Sequence, residues 1–200
     1  MRFVACLLVM VLCAACGAKV PPLPKLGAQD VVLAFGDSLT YGTGAAETES
    51  YPAVLQQLIG RPVVRAGVPG EVSAQGLERL EEVLDEVKPR LVIVCLGGND
   101  LLRKVPDDQI AANLRGILRA VKAKGLSAVL VGVPRPQLLS APPGFYAEIA
   151  REFAVPYEGI SVKDVLYNAK LKSDPIHPNA AGYRRMAEDI AKLLQQAGAV

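Results

Sequence analysis

Two kinds of apolar pattern alternate along this chain. Val31 to Phe35, Leu91 to Leu96 and Ala128 to Val133 are unbroken apolar runs that stop abruptly at Gly, Asn, Asp or Pro, which predicts buried strands. Pro62 to Arg65 and Val155 to Glu158 read as two shorter strands. Between them, apolar residues recur every three or four positions. Tyr51, Val54, Leu55, Leu58 and Ile59 form one such stripe, ended by Gly60. Leu77, Leu80, Val83, Leu84 and Val87 form another, with Ser73 as a plausible N-cap and Pro89 as the stop. Ile110, Leu114, Ile117, Leu118 and Val121 make a third, capped by Asp107 or Asp108 and closed by Gly125. A further helix is expected around Phe145 to Phe153, and a last one from Ala180 to Gln195 that packs Met186, Ile190, Leu193 and Leu194. Strands alternating with helices in this way predict a mostly parallel, three-layer α/β/α domain.

Size and charge narrow the choice. The 200 residues, 51% of them apolar, suffice for one domain with a sizeable core. The formal net charge is only +2 and the charges are scattered, so nothing points to nucleic acid or a strongly anionic partner. A monomer is expected.

The first residues do not follow the α/β pattern. Arg2 precedes an apolar run from Phe3 to Ala15, which has the length of a signal peptide and is too short for a permanent membrane span. Ala14-Ala15-Cys16-Gly17 resembles the cleavage site of bacterial lipoproteins, which implies a signal peptide over residues 1–16 and a lipid on Cys16. Cys13 stands where such sites usually carry leucine, and ordinary signal-peptidase cleavage nearby is the alternative. Gly17 in place of the aspartate that retains such proteins at the inner membrane favours a periplasm-facing anchor in the outer membrane, if the source is Gram-negative. Residues 17–28, with three prolines, read as an extended tether to a domain over 29–200. Cys6, Cys13 and Cys16 fall in the signal, so the mature domain keeps only Cys95, in an expected core strand, and no internal disulfide is possible.

Candidate chemistry sits where the apolar runs end. Gly36-Asp37-Ser38-Leu39 follows the first strand, at the edge where open α/β sheets bind ligands. Ser38 alone reads first as a cap or turn former. His177 is the only histidine, and Asp174, three residues before it, can hold its Nδ1 and leave Nε2 for a serine hydroxyl. Taken without the other motifs, Asp174 could instead cap the last helix. Asn99, in Gly97-Gly98-Asn99-Asp100 after the third strand, can donate to an oxyanion. Asp37 and Asp100 read as acids that hold their loops by backbone hydrogen bonds. No phosphate loop, dinucleotide fingerprint or zinc spacing occurs, so no cofactor and no metal is inferred.

Gly-Asp-Ser-Leu, Gly-x-Asn-Asp and Asp-x-x-His, in this order between about Val31 and Leu194, resemble the blocks of the SGNH (GDSL) hydrolase family. The resemblance implies a five-stranded, flavodoxin-like sheet and a catalytic triad of Ser38, Asp174 and His177. It also implies an oxyanion hole made by the backbone N–H of Ser38, the backbone N–H of Gly70 and the side chain of Asn99. Gly70 is aligned through Gly70-Glu71-Val72-Ser73, although Arg65 and Pro69 replace the Asn and Ser common in that block.

The function expected is a serine esterase acting on carboxylic ester or thioester bonds through an acyl-enzyme, similar to the bacterial arylesterase and thioesterase/lysophospholipase branch. A carbohydrate O-acetylesterase acting on envelope glycans, or a lipoprotein that binds a ligand without turnover, are the competing readings. The loop from Pro134 to Tyr146 leaves the catalytic edge and carries Leu138, Leu139 and Phe145 as candidate acyl-binding residues, with core packing as the other role open to it. A shallow site without a lid predicts a preference for short to medium chains.

Overall fold

The structure is a computed structural model, described here for residues 20–135 and 141–200. The expected signal segment, Cys16, Leu138 and Leu139 lie outside the described residues. Five strands form one sheet: β1 (Val32–Gly36), β2 (Val63–Gly67), β3 (Leu91–Cys95), β4 (Ser127–Val131) and β5 (Tyr157–Glu158). Their order is β2-β1-β3-β4-β5 and every pairing is parallel. Gly36 stands in register with Gly67 on one side and Cys95 on the other, so these three strands end level with one another. The central strands are apolar throughout because both faces are covered: β1 and β3 are buried along their whole length.

Helices follow the direction of the strand crossovers. The chain moves outward from β1 to β2 through α2 (Tyr51–Ile59), then reverses through α3 (Ser73–Val87) to β3 on the other side of β1. Right-handed crossovers therefore put α2 and α3 on opposite faces. The helix α5 (Asp107–Ala123) continues in the second direction and packs against α3, and α6 (Gly144–Glu152) packs against α5. On the first face, α8 (Ala180–Gln196) lies against α2 and α7 (Ser161–Tyr167). Ile110, Leu114, Ile117, Leu118 and Val121 are fully buried, which is the stripe read from the sequence of α5. Two short helices, α1 (Ser38–Tyr41) and α4 (Gly98–Leu102), start directly after β1 and β3.

Three local readings are corrected. The helix α7, with Val162 and Val165 buried, was not expected, because 7 residues make too few turns to show a period. Ser73 is the first residue of α3 and not its N-cap; its Oγ donates to Asp100 Oδ1 (2.6 Å) and its N–H to Asp100 Oδ2 (2.8 Å). The later part of the expected tether is docked. Leu26 is buried, and the N–H groups of Leu23 and Leu26 donate to the carbonyls of Ala197 and Ala199, both at 2.8 Å.

Candidate active site

Sheet order places the reactive groups. Going from β1 to its neighbours the chain departs in opposite directions, and the gap this leaves beyond the carboxyl ends of β1 and β3 is where flavodoxin-like sheets bind ligands. Ser38 opens α1 at the end of β1, so its N–H belongs to the first turn of a helix, which has no acceptor within the helix. Asn99 sits in α4 at the end of β3. Gly97 makes the sharp turn between them possible: its φ is +107°, and a Cβ there would stand 2.3 Å from the Tyr146 hydroxyl, which donates to the Leu96 carbonyl.

His177 arrives from the other end of the chain. The loop between α7 and α8 is closed by a bridge between Lys172 and Pro178, with the Ser173 N–H donating to the His177 carbonyl at 2.9 Å. Asn179 caps α8 by accepting from the Gly182 N–H (3.1 Å), so Asp174 is not the cap of that helix. Asp174 instead accepts from the N–H groups of Ile176 (2.8 Å) and His177 (2.9 Å) through Oδ1, and its Oδ2 lies 2.7 Å from His177 Nδ1. His177 Nε2 lies 3.0 Å from Ser38 Oγ. Partial burial pushes the Asp174 carboxyl up, but the hydrogen bonds from the imidazole and the loop N–H groups outweigh it and hold the carboxyl below the usual range. A carboxylate that fixes Nδ1–H leaves Nε2 as an acceptor for the serine proton.

Around Ser38 lies a small cleft, with a cavity volume of about 30 Å³, lined by Asp37, Leu39, Gly98, Asn99, Leu102, Val133, Pro134, Leu166, Ile176 and His177. Asn99 Nδ2 donates to the Glu71 carbonyl (3.0 Å) and to Asp37 Oδ2 (3.3 Å). Asp37 is buried and accepts the Leu39 N–H through Oδ1 (3.0 Å). Burial, aided by repulsion from Glu71 and Asp100, pushes its pKa up to about 7, against the Leu39 hydrogen bond.

The structure thus brings Ser38, Asp174, His177 and Asn99 together. Gly70 stands beside them and not in the cleft wall; it lines an adjoining groove with Glu71, Arg79 and Arg103, and its carbonyl accepts from Arg103 Nη2 (2.9 Å). Phe145 is directed into the core, with its ring stacked on Tyr146 at 4.6 Å, and does not line the cleft. The cleft walls that sequence reading missed are Leu39, Leu102, Val133, Leu166 and Ile176. Leu39 and Ile176 alone had a signal, since they adjoin Ser38 and His177 in the sequence motifs. Among the described residues no group of three or more His, Cys, Asp and Glu is arranged to hold a metal ion.

A serine, a histidine and an aspartate in hydrogen-bonded series at the carboxyl edge of a parallel sheet, beside an amide donor, define a serine hydrolase. The profile of the GDSL-like Lipase/Acylhydrolase family matches residues 34–185, and the chain belongs to that family. It is 34% identical over 179 residues to "Thioesterase 1/protease 1/lysophospholipase L1" of Escherichia coli, covering 86% of each chain. It is 31% identical over 181 residues to "Esterase TesA" of Pseudomonas aeruginosa, covering 84% of this chain and 89% of the relative. Among solved structures, one described as TesA superposes with a TM-score of 0.74 at 27% identity, over 84% of this chain and 99% of the other. The protein is a serine ester hydrolase of the SGNH type.

Proposed function

We propose that the protein cleaves carboxylic esters and thioesters of short to medium acyl chains through an acyl-enzyme on Ser38. The observation that carries this reading is the 3.0 Å contact of Ser38 Oγ with His177 Nε2, in line with the 2.7 Å contact of Nδ1 with Asp174. Ser38 Oγ attacks the acyl carbon as its proton passes to Nε2, and Asp174 stabilises the imidazolium. The oxyanion is held by the Ser38 N–H and Asn99 Nδ2, whose long hydrogen bond to Asp37 is the one exchanged for substrate. The tetrahedral intermediate collapses, Nε2 protonates the departing alcohol or thiol, and water repeats the sequence on the acyl-serine.

Acyl length is set by the cleft. Leu102, Val133, Pro134, Leu166 and Ile176 give it apolar walls, and its cavity volume of only about 30 Å³ leaves most of a long chain outside. Each methylene buried adds at most about 0.8 kcal/mol, and one left in water adds nothing. Hydrolysis of p-nitrophenyl esters and acyl-thioesters of increasing length should give kcat/KM that peaks at short to medium chains. Leu166→Ala should move the peak to longer ones. A steady rise up to long-chain esters, indifferent to Leu166, would remove this assignment.

We further infer that the domain is anchored by lipid on Cys16 and faces the periplasm of a bacterial envelope. The support is the small-residue run Ala14-Ala15-Cys16-Gly17 at the end of a signal-length apolar stretch. Incorporation of labelled palmitate should be abolished by Cys16→Ser, and incorporation that persists would refute the anchor.

A further inference from the structure

Arg79 touches three of the segments that border the oxyanion side of the cleft: the ends of β1 and β2 and the turn that carries Glu71. It projects from α3, and its Nε and Nη2 donate to the two carboxylate oxygens of Glu71 at 2.5 and 2.7 Å. The same Nη2 reaches the carbonyl of Ala66 at the end of β2 (3.0 Å) and that of Gly36 at the end of β1 (3.3 Å). Its guanidinium lies 4.1 Å from the centre of the Phe35 ring, also in β1. Glu71 follows Gly70 in the turn after β2, and its carbonyl accepts from Asn99 Nδ2.

We propose that Arg79, acting through Glu71, is a positioning residue for this hydrolase: it sets the Gly70-Glu71 turn and the Asn99 amide relative to Ser38. This rests on the acyl-enzyme reading above. The physical case has three parts. The Gly36 and Ala66 carbonyls lie where β1 and β2 end, and each has a second lone pair to offer even though the Val68 N–H already donates to Gly36; a planar fork with several donors reaches both at once. The Glu71 side chain is 4% exposed, so its charge needs a partner, and the bidentate contact fixes direction as well as charge. The Glu71 backbone then has little freedom, and the Asn99 amide bonded to it inherits that restraint. A lysine has one point of charge and cannot form the fork.

Misplacement of a reacting group by about 1 Å can cost on the order of 10²-fold in rate. Arg79→Ala is therefore expected to lower kcat on a short-chain p-nitrophenyl ester by about 10²-fold, with KM changed by no more than a few-fold, after correction for active sites titrated with a fluorophosphonate. Guanidinium ion added below its unfolding range should restore part of kcat to Arg79→Ala, and none to Ser38→Ala. Arg79→Lys should stay impaired. Glu71→Gln, which keeps the side-chain shape and removes its charge, should show the same kcat-specific loss in smaller measure. It also serves as the test if Arg79→Ala does not fold. Wild-type kcat in Glu71→Gln, or a loss in Arg79→Ala fully explained by fewer titratable sites and untouched by guanidinium, overturns the proposal. Absence of ester hydrolysis by the unmodified protein would instead overturn the acyl-enzyme reading on which it stands.

Discussion

Asp174 grips His177 at two points: Oδ2 meets the ring Nδ1 at 2.7 Å while Oδ1 accepts the backbone N–H of the same residue at 2.9 Å. The carboxylate thus orients both the ring and the peptide that carries it. Asp174→Asn can keep the backbone contact, but its amide can stabilise the wrong imidazole tautomer. We expect kcat to fall by about 10⁴, the size seen when an aspartate that fixes a catalytic tautomer is replaced. Steady-state kinetics with unchanged melting would check this, and a near wild-type rate would leave Asp174 as a loop residue only.

Ser38→Ala and His177→Ala should each abolish turnover, and the double variant should be no worse than either. Both residues act in one proton transfer, so their losses do not add. Kinetics on all three proteins, with circular dichroism to show that the fold is kept, test the point. A double variant clearly slower than both singles would mean that the two residues act separately.

Asn99→Ala should lower kcat by about 10² to 10³ with a smaller change in KM, since the amide serves the charge of the transition state. An effect confined to KM would reassign Asn99 to ground-state binding of the substrate.

Asp37 gives the fold a pH dependence of unusual sign. Its pKa is about 7 when folded and near 3.8 when free, so between these values the folded chain binds the extra proton. The contribution of Asp37 to stability therefore declines as pH rises from about 4 to about 7, and is level above that. Asp37→Asn removes this decline. Relative to the unmodified protein, the Tm of the variant should rise steadily across that window. A constant Tm difference from pH 4 to pH 8 would show that Asp37 does not titrate there.

Much of this arrangement was legible from residue patterns because the responsible forces are local or periodic. Runs such as Val32 to Phe35 and Leu91 to Cys95 must be covered on both faces, and so announce a central parallel strand. Ser38 and Asn99 were legible because they follow those runs, and Asp174 with His177 because they share one loop. What escaped depends on contacts across the chain. Ser73 looks like a cap until Asp100, 27 positions away, takes its hydroxyl. Arg79 and Glu71 look like two charges on a solvated stretch, and only the fold shows the guanidinium turned inward onto the ends of β1 and β2. Leu166 reaches the cleft from a helix too short to be read as one.

The loop between α7 and α8 supplies the base to a nucleophile 139 positions earlier, and Tyr183, in the first turn of α8, donates to the Thr43 carbonyl just beyond that nucleophile at 2.8 Å. A chain under synthesis therefore exposes Ser38 long before it owns a residue able to take the serine proton. Until α8 closes over α2, the hydroxyl is an ordinary alcohol. The contact that creates reactivity joins residues 139 positions apart, so its loop-closure entropy is among the largest the fold has to meet, and ester hydrolysis requires the assembled tertiary structure.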